Sequence, residues 1–218
     1  MARVRDPANY DGQRDMILAN AAQLFAQRGY AGTSMNEVAA ACGVSKATLY
    51  HYVRDKHDLA VRIAEEHVLR LEAVVDEVLR AHATPEARLD ALIRNFVAEY
   101  AVAQNAQRVL TEDVRFLREE DQARIIGVER RVVAAFARTI AEVRGEDASS
   151  KLGKPMAMLL FGMINWMFTW MKPGRELDHQ AIGGIVADLF FGGVRAVELP
   201  PAPATKRERT AAGARKRR

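Results

Sequence analysis

The 218-residue chain contains one cysteine and no uninterrupted hydrophobic run of membrane-spanning length. Cys42 alone cannot form an internal disulfide, and residues 1–12 lack the apolar stretch of a secretion signal, so we expect a cytoplasmic protein. The most apolar window, Met156–Met171, is interrupted by Gly162 and Asn165. At about 1.5 Å per residue it reaches roughly 24 Å, short of the roughly 30 Å of a bilayer's hydrocarbon core. This window predicts a helix buried in protein, and we expect no membrane partner.

The chain also lacks an excess of charge over most of its length. The formal net charge is +4, but residues 200–218 contain seven basic residues against one acid, which leaves the preceding 199 residues at about −2. The basic character therefore belongs to a C-terminal tail and does not by itself indicate a nucleic-acid-binding fold. A composition of 49% hydrophobic and 28% charged residues excludes collagen-like and wholly disordered chains.

No segment alternates with period two for long enough to predict a β-strand, whereas apolar residues recur at helical spacing almost everywhere. The sequence therefore predicts an all-α fold. One long helix is predicted from Asp55 to Ala83, because its apolar residues step by three and four without a break. Thr84-Pro85 is typical of the start of the next helix, Lys172-Pro173-Gly174 of a helix end, and Asp178 can cap the last helix, predicted to end near Val197.

A short pattern after the first helix is the most specific in the chain. Ser34 and Glu37 fit a capping box that begins a helix running to Cys42. Gly43 can adopt the left-handed conformation that ends a helix, and Ser45 can cap a second one. Two short helices so close together predict a helix-turn-helix. A helical hairpin of any other all-α protein has similar spacing, so the pattern alone leaves both interpretations open.

The second helix, Lys46–Tyr52, has the composition expected of a helix that enters a DNA major groove. Ala47 and Thr48 are small enough for close approach to base edges, and the Thr48 hydroxyl and methyl groups can read them. Leu49 and Val53 lie four residues apart and can anchor the helix to the core. Polar side chains that can contact phosphates surround them: Lys46, Tyr50, His51, Tyr52 and Lys56.

Ile17–Leu59 resembles the DNA-binding domain of the TetR family of bacterial transcription regulators. The matching positions are Phe25, Gly29, Thr33, Ala39, Gly43, Val44, Ser45, Leu49, Tyr50 and Lys56. The resemblance implies phosphate contacts from Thr33, Lys46, Tyr50, His51, Tyr52 and Lys56, and base contacts from Ala47 and Thr48. His51-Tyr52 reverses the order frequent in the family, and Val53 stands where the family commonly has Phe, which predicts looser packing beneath the helix.

The resemblance also implies a division of the chain. We expect a flexible arm at 1–10, a helix-turn-helix DNA-binding domain at 11–56, a helical ligand-binding and dimerisation domain at 57–199, and a disordered basic tail at 200–218. The last two helices, Met156–Met171 and Ile182–Val197, are expected to pair with their copies in a homodimer. Glycines that would allow close backbone contact there are Gly162, Gly183, Gly184, Gly192 and Gly193. Such a dimer presents two recognition helices about 34–36 Å apart to a palindromic operator.

Phe161–Gly174 resembles, more loosely, the corresponding helix of family members that respond to acyl-coenzyme A thioesters. Trp166 and Trp170 share a face; they either stack on an adenine or line an acyl channel, or else they form dimer core. Asn165 needs hydrogen-bond partners, which a ligand or a second subunit can supply. The phosphates of the coenzyme require cations, and the candidates are Arg108, Arg115 and Arg118, near Phe116. Phe96 and Tyr100 form either an apolar wall of the ligand site or part of the hydrophobic core.

These features predict a repressor that a small-molecule effector, such as an acyl-coenzyme A thioester, releases from DNA by moving the long helix. A different hydrophobic effector on the same fold is one alternative. Non-specific nucleic-acid binding through the tail, with accessory contacts from Arg3 and Arg5, is another. An enzyme would need Cys42 as nucleophile, but its place on an apolar stripe favours a structural thiol. The histidines lack metal-ligand spacing, and we expect no cofactor, no metal and no catalytic residue.

Overall fold

The computed structural model describes residues 7–147, 149–171 and 178–195, and all regular secondary structure in these ranges is helical. The ten α-helices there are α1 (Pro7–Arg28), α2 (Met35–Ala41), α3 (Lys46–Leu49), α4 (Lys56–Ala81), α5 (Pro85–Val102), α6 (Gln104–Arg108), α7 (Glu119–Val143), α8 (Gly153–Asn165), α9 (Met167–Trp170) and α10 (His179–Val194). A π-helical turn, Val109–Asp113, and a 3-10 turn, Val114–Phe116, join α6 to α7. The predicted all-α fold is confirmed.

Side-chain caps begin several helices where the sequence predicts them. The Ser34 hydroxyl accepts from the Glu37 backbone N–H while the Glu37 carboxylate accepts from the Ser34 N–H, which completes the capping box of α2. Thr84 and Asp178 cap α5 and α10 by accepting from the backbone N–H groups of Ala87 and Ala181, and Asp55 caps α4. Each cap satisfies a backbone donor that a helix N-terminus leaves unpaired.

Helix α4 joins the two halves of the molecule. Its predicted apolar seam is buried throughout: Val61, Ala64, Val68, Leu71, Val75 and Val78. The helix packs against α1 at its N-terminal end and against α5, α6 and α7 further along. One continuous hydrophobic core therefore runs from α1 into the C-terminal helices.

The C-terminal helices pack around a cluster of phenylalanine rings. Phe136 on α7 lies 4.8 Å from Phe96 on α5 and 4.8 Å from Phe161 on α8, measured between ring centroids. Helices α7 and α8 approach closely at Gly153, where an added Cβ would lie 2.7 Å from the Ala137 carbonyl oxygen. A glycine is required at this contact because any side chain would push the two helices apart.

Several predicted boundaries differ from the structure. Helix α1 begins at Pro7, so the last four residues of the predicted arm are helical. The predicted helix Met156–Met171 is broken at Trp166 into α8 and α9, and α10 ends at Val194, followed by a turn at Arg195. The predicted helix end at 172–174 and the basic tail lie outside the described residues. Among the described helices, none has the length and apolar character needed to cross a membrane.

Candidate nucleic-acid interface and ligand cavity

Helices α2 and α3 form the predicted helix-turn-helix. Gly43 has a φ of 63°, the left-handed conformation that suits glycine, and the Val44 N–H returns to the Ala39 carbonyl at 3.0 Å. The Ser45 hydroxyl accepts from the Thr48 N–H at 3.0 Å and begins α3. This second helix ends at Leu49 instead of Tyr52, because Tyr50 is already its C-terminal cap.

Four predicted DNA contacts are exposed on or just after α3: Lys46, Ala47, Tyr50 and His51. The Lys46 ammonium lies 6.0 Å from the centre of the Tyr50 ring. Thr48 is half-buried, and its hydroxyl shares a 2.8 Å hydrogen bond with the Ser45 hydroxyl. Leu49 and Val53 are buried beneath, at 0% and 2% exposure, so α3 is anchored with its polar side outward.

Tyr52 lies in a different environment from its exposed neighbours. Its hydroxyl donates to the Gln13 side-chain oxygen at 3.1 Å, and its ring stacks on Tyr10 at 4.7 Å. Both partners belong to α1. The structure therefore uses Tyr52 to hold α1 against the helix-turn-helix, and it leaves His51 as the exposed ring of the reversed pair.

Thr33 and Lys56, two further residues with implied phosphate contacts, also have partners within the chain. Thr33 is 2% exposed, and its hydroxyl donates to the Gly29 carbonyl at 3.0 Å. The Lys56 ammonium donates to the carbonyls of Tyr30 and Thr33, each at 2.9 Å, and lies 4.5 Å from the centre of the Tyr30 ring. Both side chains brace the loop between α1 and α2.

A cavity of about 1010 Å³ lies in the C-terminal half, between α4, α5, α7, α8 and the turns that follow α6. Its apolar lining includes Val68, Leu71, Leu110, Val114, Val132 and Phe161. A space of this size and lining suits a small organic ligand with a large apolar part. Because Val68 and Leu71 belong to α4, the helix that begins directly after the helix-turn-helix also forms a wall of the cavity.

The cavity includes four of the nine predicted ligand contacts: Phe96, Tyr100, Arg115 and Asn165. The others are absent from its lining. Arg108 pairs with Glu112 at 3.1 Å, and Phe116 stacks on Tyr30 with ring centroids 6.0 Å apart. Arg118 is exposed, and its backbone N–H donates to His57.

The two tryptophans also lie away from the cavity. Trp166 and Trp170 are 65% and 50% exposed at the surface, next to the break between α8 and α9. The prediction that they line an acyl channel within the subunit therefore does not hold for this cavity, because the helix turns at Trp166 and carries both rings outward. Their alternative place, at a contact between subunits, stays a prediction.

Three cations missed by the sequence analysis border the cavity: Arg130, Arg138 and Lys154. All three are exposed and have no ion pair within the described part of the chain. Arg124 and Arg131, on the same helix as the first two, instead pair with Glu65 and Glu72 of α4. The sequence showed all of these as arginines on an amphipathic helix, and only the packing of α7 separates those paired with α4 from those beside the cavity.

A polar cluster inside the cavity was also missed. Gln107 is 4% exposed, and its side-chain oxygen lies 2.7 Å from His67 Nε2. Its amide nitrogen lies 3.4 Å from Asn165 Oδ1 and 3.4 Å from the Thr111 hydroxyl. Burial, followed by the charge of Glu129, raises the pKa of the Tyr100 phenol, against a smaller opposing effect of a hydrogen bond with Gln107. Burial also raises the pKa of Glu129.

The residues considered for catalysis have no such arrangement. Cys42 is buried, and that burial raises the pKa of its thiol, which lowers its reactivity as a nucleophile. In the described ranges, no three histidine, cysteine or acidic residues converge as metal ligands do.

An anchored helix-turn-helix with an exposed second helix defines the class of helix-turn-helix DNA-binding proteins. Residues 17–63 match the family described as "Bacterial regulatory proteins, tetR family", and residues 82–194 match "Tetracyclin repressor-like, C-terminal domain". The chain belongs to the TetR family of bacterial transcription regulators.

Several relatives resemble the chain over most of its length. It is 34% identical to the HTH-type transcriptional activator FasR of Mycolicibacterium smegmatis over 87% of this chain and 86% of that protein. A TetR-family regulator from Bordetella parapertussis superposes with a TM-score of 0.79 at 29% identity, covering 86% of this chain and 98% of the other. AibR, solved with isovaleryl coenzyme A and operator DNA, gives 0.70 at 29% identity, with 82% and 98% covered.

Proposed function

We propose that the protein is a homodimeric repressor that binds a palindromic operator and is released by a hydrophobic small molecule bound in the cavity. The observation that carries this proposal is α4, which begins directly after the helix-turn-helix and contributes Val68 and Leu71 to the cavity. A ligand that prefers one position of α4 changes the separation of the two recognition helices in a dimer. Its effect on operator affinity cannot exceed the difference in its binding free energy for the two positions.

The DNA-contacting set follows from exposure. Lys46, Tyr50 and His51 bind phosphates, and Ala47 with the methyl group of Thr48 meets base edges. Thr33, Tyr52 and Lys56 act indirectly, by holding the loop and α1 in place.

The dimer rests on an apolar surface of the last helices. Seven of the twelve large exposed apolar side chains among the described residues lie on α8–α10: Met158, Leu159, Met163, Trp166, Trp170, Ile185 and Leu189. Such a concentration on a soluble chain is typical of a subunit interface. Gly162, Gly192 and Gly193 face open space and suit close approach there, whereas Gly183 and Gly184 already meet Val97 and Arg94 of α5 in the same chain.

An acyl-coenzyme A thioester is the ligand class we propose. The apolar cavity accommodates an acyl chain, and Arg115, Arg130, Arg138 and Lys154 offer cations to the phosphates of the coenzyme. The complex of AibR with isovaleryl coenzyme A supports this class through a related chain. A different hydrophobic ligand remains the alternative, in which case these cations have no phosphate partner.

Fluorescence anisotropy tests operator binding most simply. The full chain and a variant lacking residues 204–218 are titrated onto labelled DNA from upstream of the gene and onto a scrambled duplex at the same salt concentration. The proposal predicts that both proteins discriminate between the duplexes. A truncated variant that loses all DNA binding would instead identify a binder driven by the basic tail.

An activator is a second candidate, which the 34% identity to FasR favours. Transcription in vitro from the bound promoter separates the two. A repressor lowers transcript yield as protein is added, and an activator raises it.

A further inference from the structure

The polar cluster of the cavity contains a residue with one end toward the ligand space and the other toward α4. The Gln107 side-chain oxygen can only accept a hydrogen bond, so at 2.7 Å His67 Nε2 must be the donor. His67 belongs to α4 and is 2% exposed. The hydrogen bond therefore joins α6 to the buried side of α4, the helix that directly follows the helix-turn-helix.

The other end of Gln107 is poorly satisfied. Its amide nitrogen lies 3.4 Å from Thr111 Oγ1 and 3.4 Å from Asn165 Oδ1, well beyond the usual 2.9–3.0 Å for such a bond, and Gln107 also interacts with the Tyr100 hydroxyl. The Asn165 amide nitrogen has no protein partner in the described part of the chain. Gln107, Thr111 and Asn165 all line the cavity. Two amide groups thus present N–H donors to whatever occupies this end.

These N–H donors determine which chemical group of a ligand can bind at this end of the cavity. Neutral N–H donors suit a neutral acceptor such as a carbonyl oxygen. A carboxylate suits the place less well, because Glu129 lines the same cavity and already acts on Tyr100 beside Gln107. A carbonyl oxygen about 2.9 Å from the Gln107 amide nitrogen would replace its two long contacts with one of normal length.

We propose that Gln107 recognises the acyl carbonyl of the ligand and, through its hydrogen bond with His67, passes that recognition to α4. This inference rests on the proposed function and specifies which atom of the thioester the cavity reads. A bound carbonyl draws the Gln107 amide toward the ligand, and the shift strains or breaks the contact with His67. The position of α4 then depends on the presence of the carbonyl.

The test uses acyl-coenzyme A thioesters with four, eight and sixteen acyl carbons, each matched with its S-alkyl thioether, which lacks only the carbonyl oxygen. Calorimetry gives both dissociation constants for the wild type and the variants. We expect the wild type to bind the best thioester about tenfold more tightly than its thioether, the effect of one buried hydrogen bond. Gln107→Met should bind the two equally. Gln104→Met, on the same helix but away from the cavity lining, should keep the wild-type preference.

The second measurement is the operator affinity of each variant with and without the thioester. Gln107→Glu keeps an acceptor for His67 and loses the amide donor, so its preference for the thioester over the thioether should disappear. His67→Leu should bind the thioester within threefold of the wild type and lose at least fivefold of the ligand's effect on operator affinity.

The outcomes distinguish a failure of this inference from a failure of the proposed function on which it rests. Equal binding of thioester and thioether by the wild type, or a preference that survives in Gln107→Met, overturns the role of Gln107 and leaves the thioester-responsive regulator intact. A His67→Leu variant with the full operator response overturns the link to α4. A wild type that binds its operator but none of the thioesters overturns the ligand class and this inference together.

Discussion

Polar side chains of the N-terminal half hold the DNA-binding surface in shape. Thr33 and Lys56 together satisfy three carbonyl groups of the loop between α1 and α2, those of Gly29, Tyr30 and Thr33. An unsatisfied buried acceptor costs about 1–3 kcal/mol, so these contacts matter for folding whether or not DNA is present.

Thr33 and Lys46 are therefore expected to differ when substituted. Thr33→Val keeps the shape and removes the hydroxyl, and it should lower the free energy of unfolding by about 1 kcal/mol, measured by urea denaturation. Its operator binding should keep the wild-type salt dependence. Lys46→Gln should leave stability unchanged and reduce the slope of log affinity against log salt by about 2, because the dimer loses one phosphate contact in each subunit. A flatter slope in Thr33→Val would show that this hydroxyl does meet DNA.

His67 gives a prediction about pH. Burial lowers the pKa of His67 below its ordinary 6.5, although the hydrogen bond with Gln107 opposes this and the charge of Arg70 adds to it. Below pH 6.5 the unfolded chain binds a proton that the native state does not, so stability should fall as the pH drops from 6.5 through the folded pKa. Above pH 6.5 His67 contributes no such dependence.

The comparison with His67→Gln isolates this effect. Burial raises the pKa of Glu129 and of Asp113, and both act in the opposite direction over part of the same range. These groups are present in both proteins and cancel when the two stability profiles are subtracted. A difference profile that is flat below pH 6.5 would show that His67 titrates normally in the folded state.

The exposed residues of α3 could be predicted from the sequence, because small and polar side chains between anchoring apolar ones form a local pattern. The roles of Tyr52 and Lys56 could not be predicted, because their partners, Gln13 and Tyr30, are distant in sequence. Gln107 gave no signal, since its burial arises from the packing of α1 and α4 against α6.

At the scale of elements, the close contact of α7 with α8 sets one wall of the cavity. The contact depends on Gly153, where an added Cβ would meet a backbone carbonyl at 2.7 Å. A backbone atom cannot move aside as a flexible side chain can, so the helices themselves must shift.

Gly153→Ala should lower the free energy of unfolding by about 1–3 kcal/mol, the usual cost of overpacking. Gly127→Ala is the matched control on α7, because an added Cβ there has nothing within 4 Å. That variant should gain about 0.5–1 kcal/mol, since alanine is the better helix former. Chemical denaturation measures both. Equal effects of the two substitutions would contradict the packing of α7 against α8.

Helix positions were largely predictable, because the caps at Ser34, Thr84 and Asp178 and the seam of α4 are local in sequence. The break at Trp166 was not. Every residue from Met163 to Trp170 is compatible with a helix on its own, and the window contains no proline or glycine at the break.

For the whole molecule, the apolar surface of α8–α10 should control assembly. Leu159 and Leu189 are 69% and 68% exposed. Leu159→Glu combined with Leu189→Glu should give a folded monomer by sedimentation, with unchanged helical circular dichroism. Operator affinity should fall at least a hundredfold, because a single module reads only a half-site.

Leu69→Glu is the matched control for assembly. This exposed leucine lies on α4, outside the proposed interface. The control variant should remain dimeric and bind the operator normally. A double variant that stays dimeric would place the interface elsewhere on the molecule.

The central claim is that occupancy of the cavity changes the affinity of the dimer for its operator. The most direct measurement is the operator dissociation constant at fixed salt, by fluorescence anisotropy, with saturating acyl-coenzyme A thioester and with free coenzyme A. The account predicts at least tenfold weaker binding with one thioester, which corresponds to about 1.4 kcal/mol of coupling, and no change with free coenzyme A. An operator affinity that stays constant while calorimetry shows the thioester bound would contradict it.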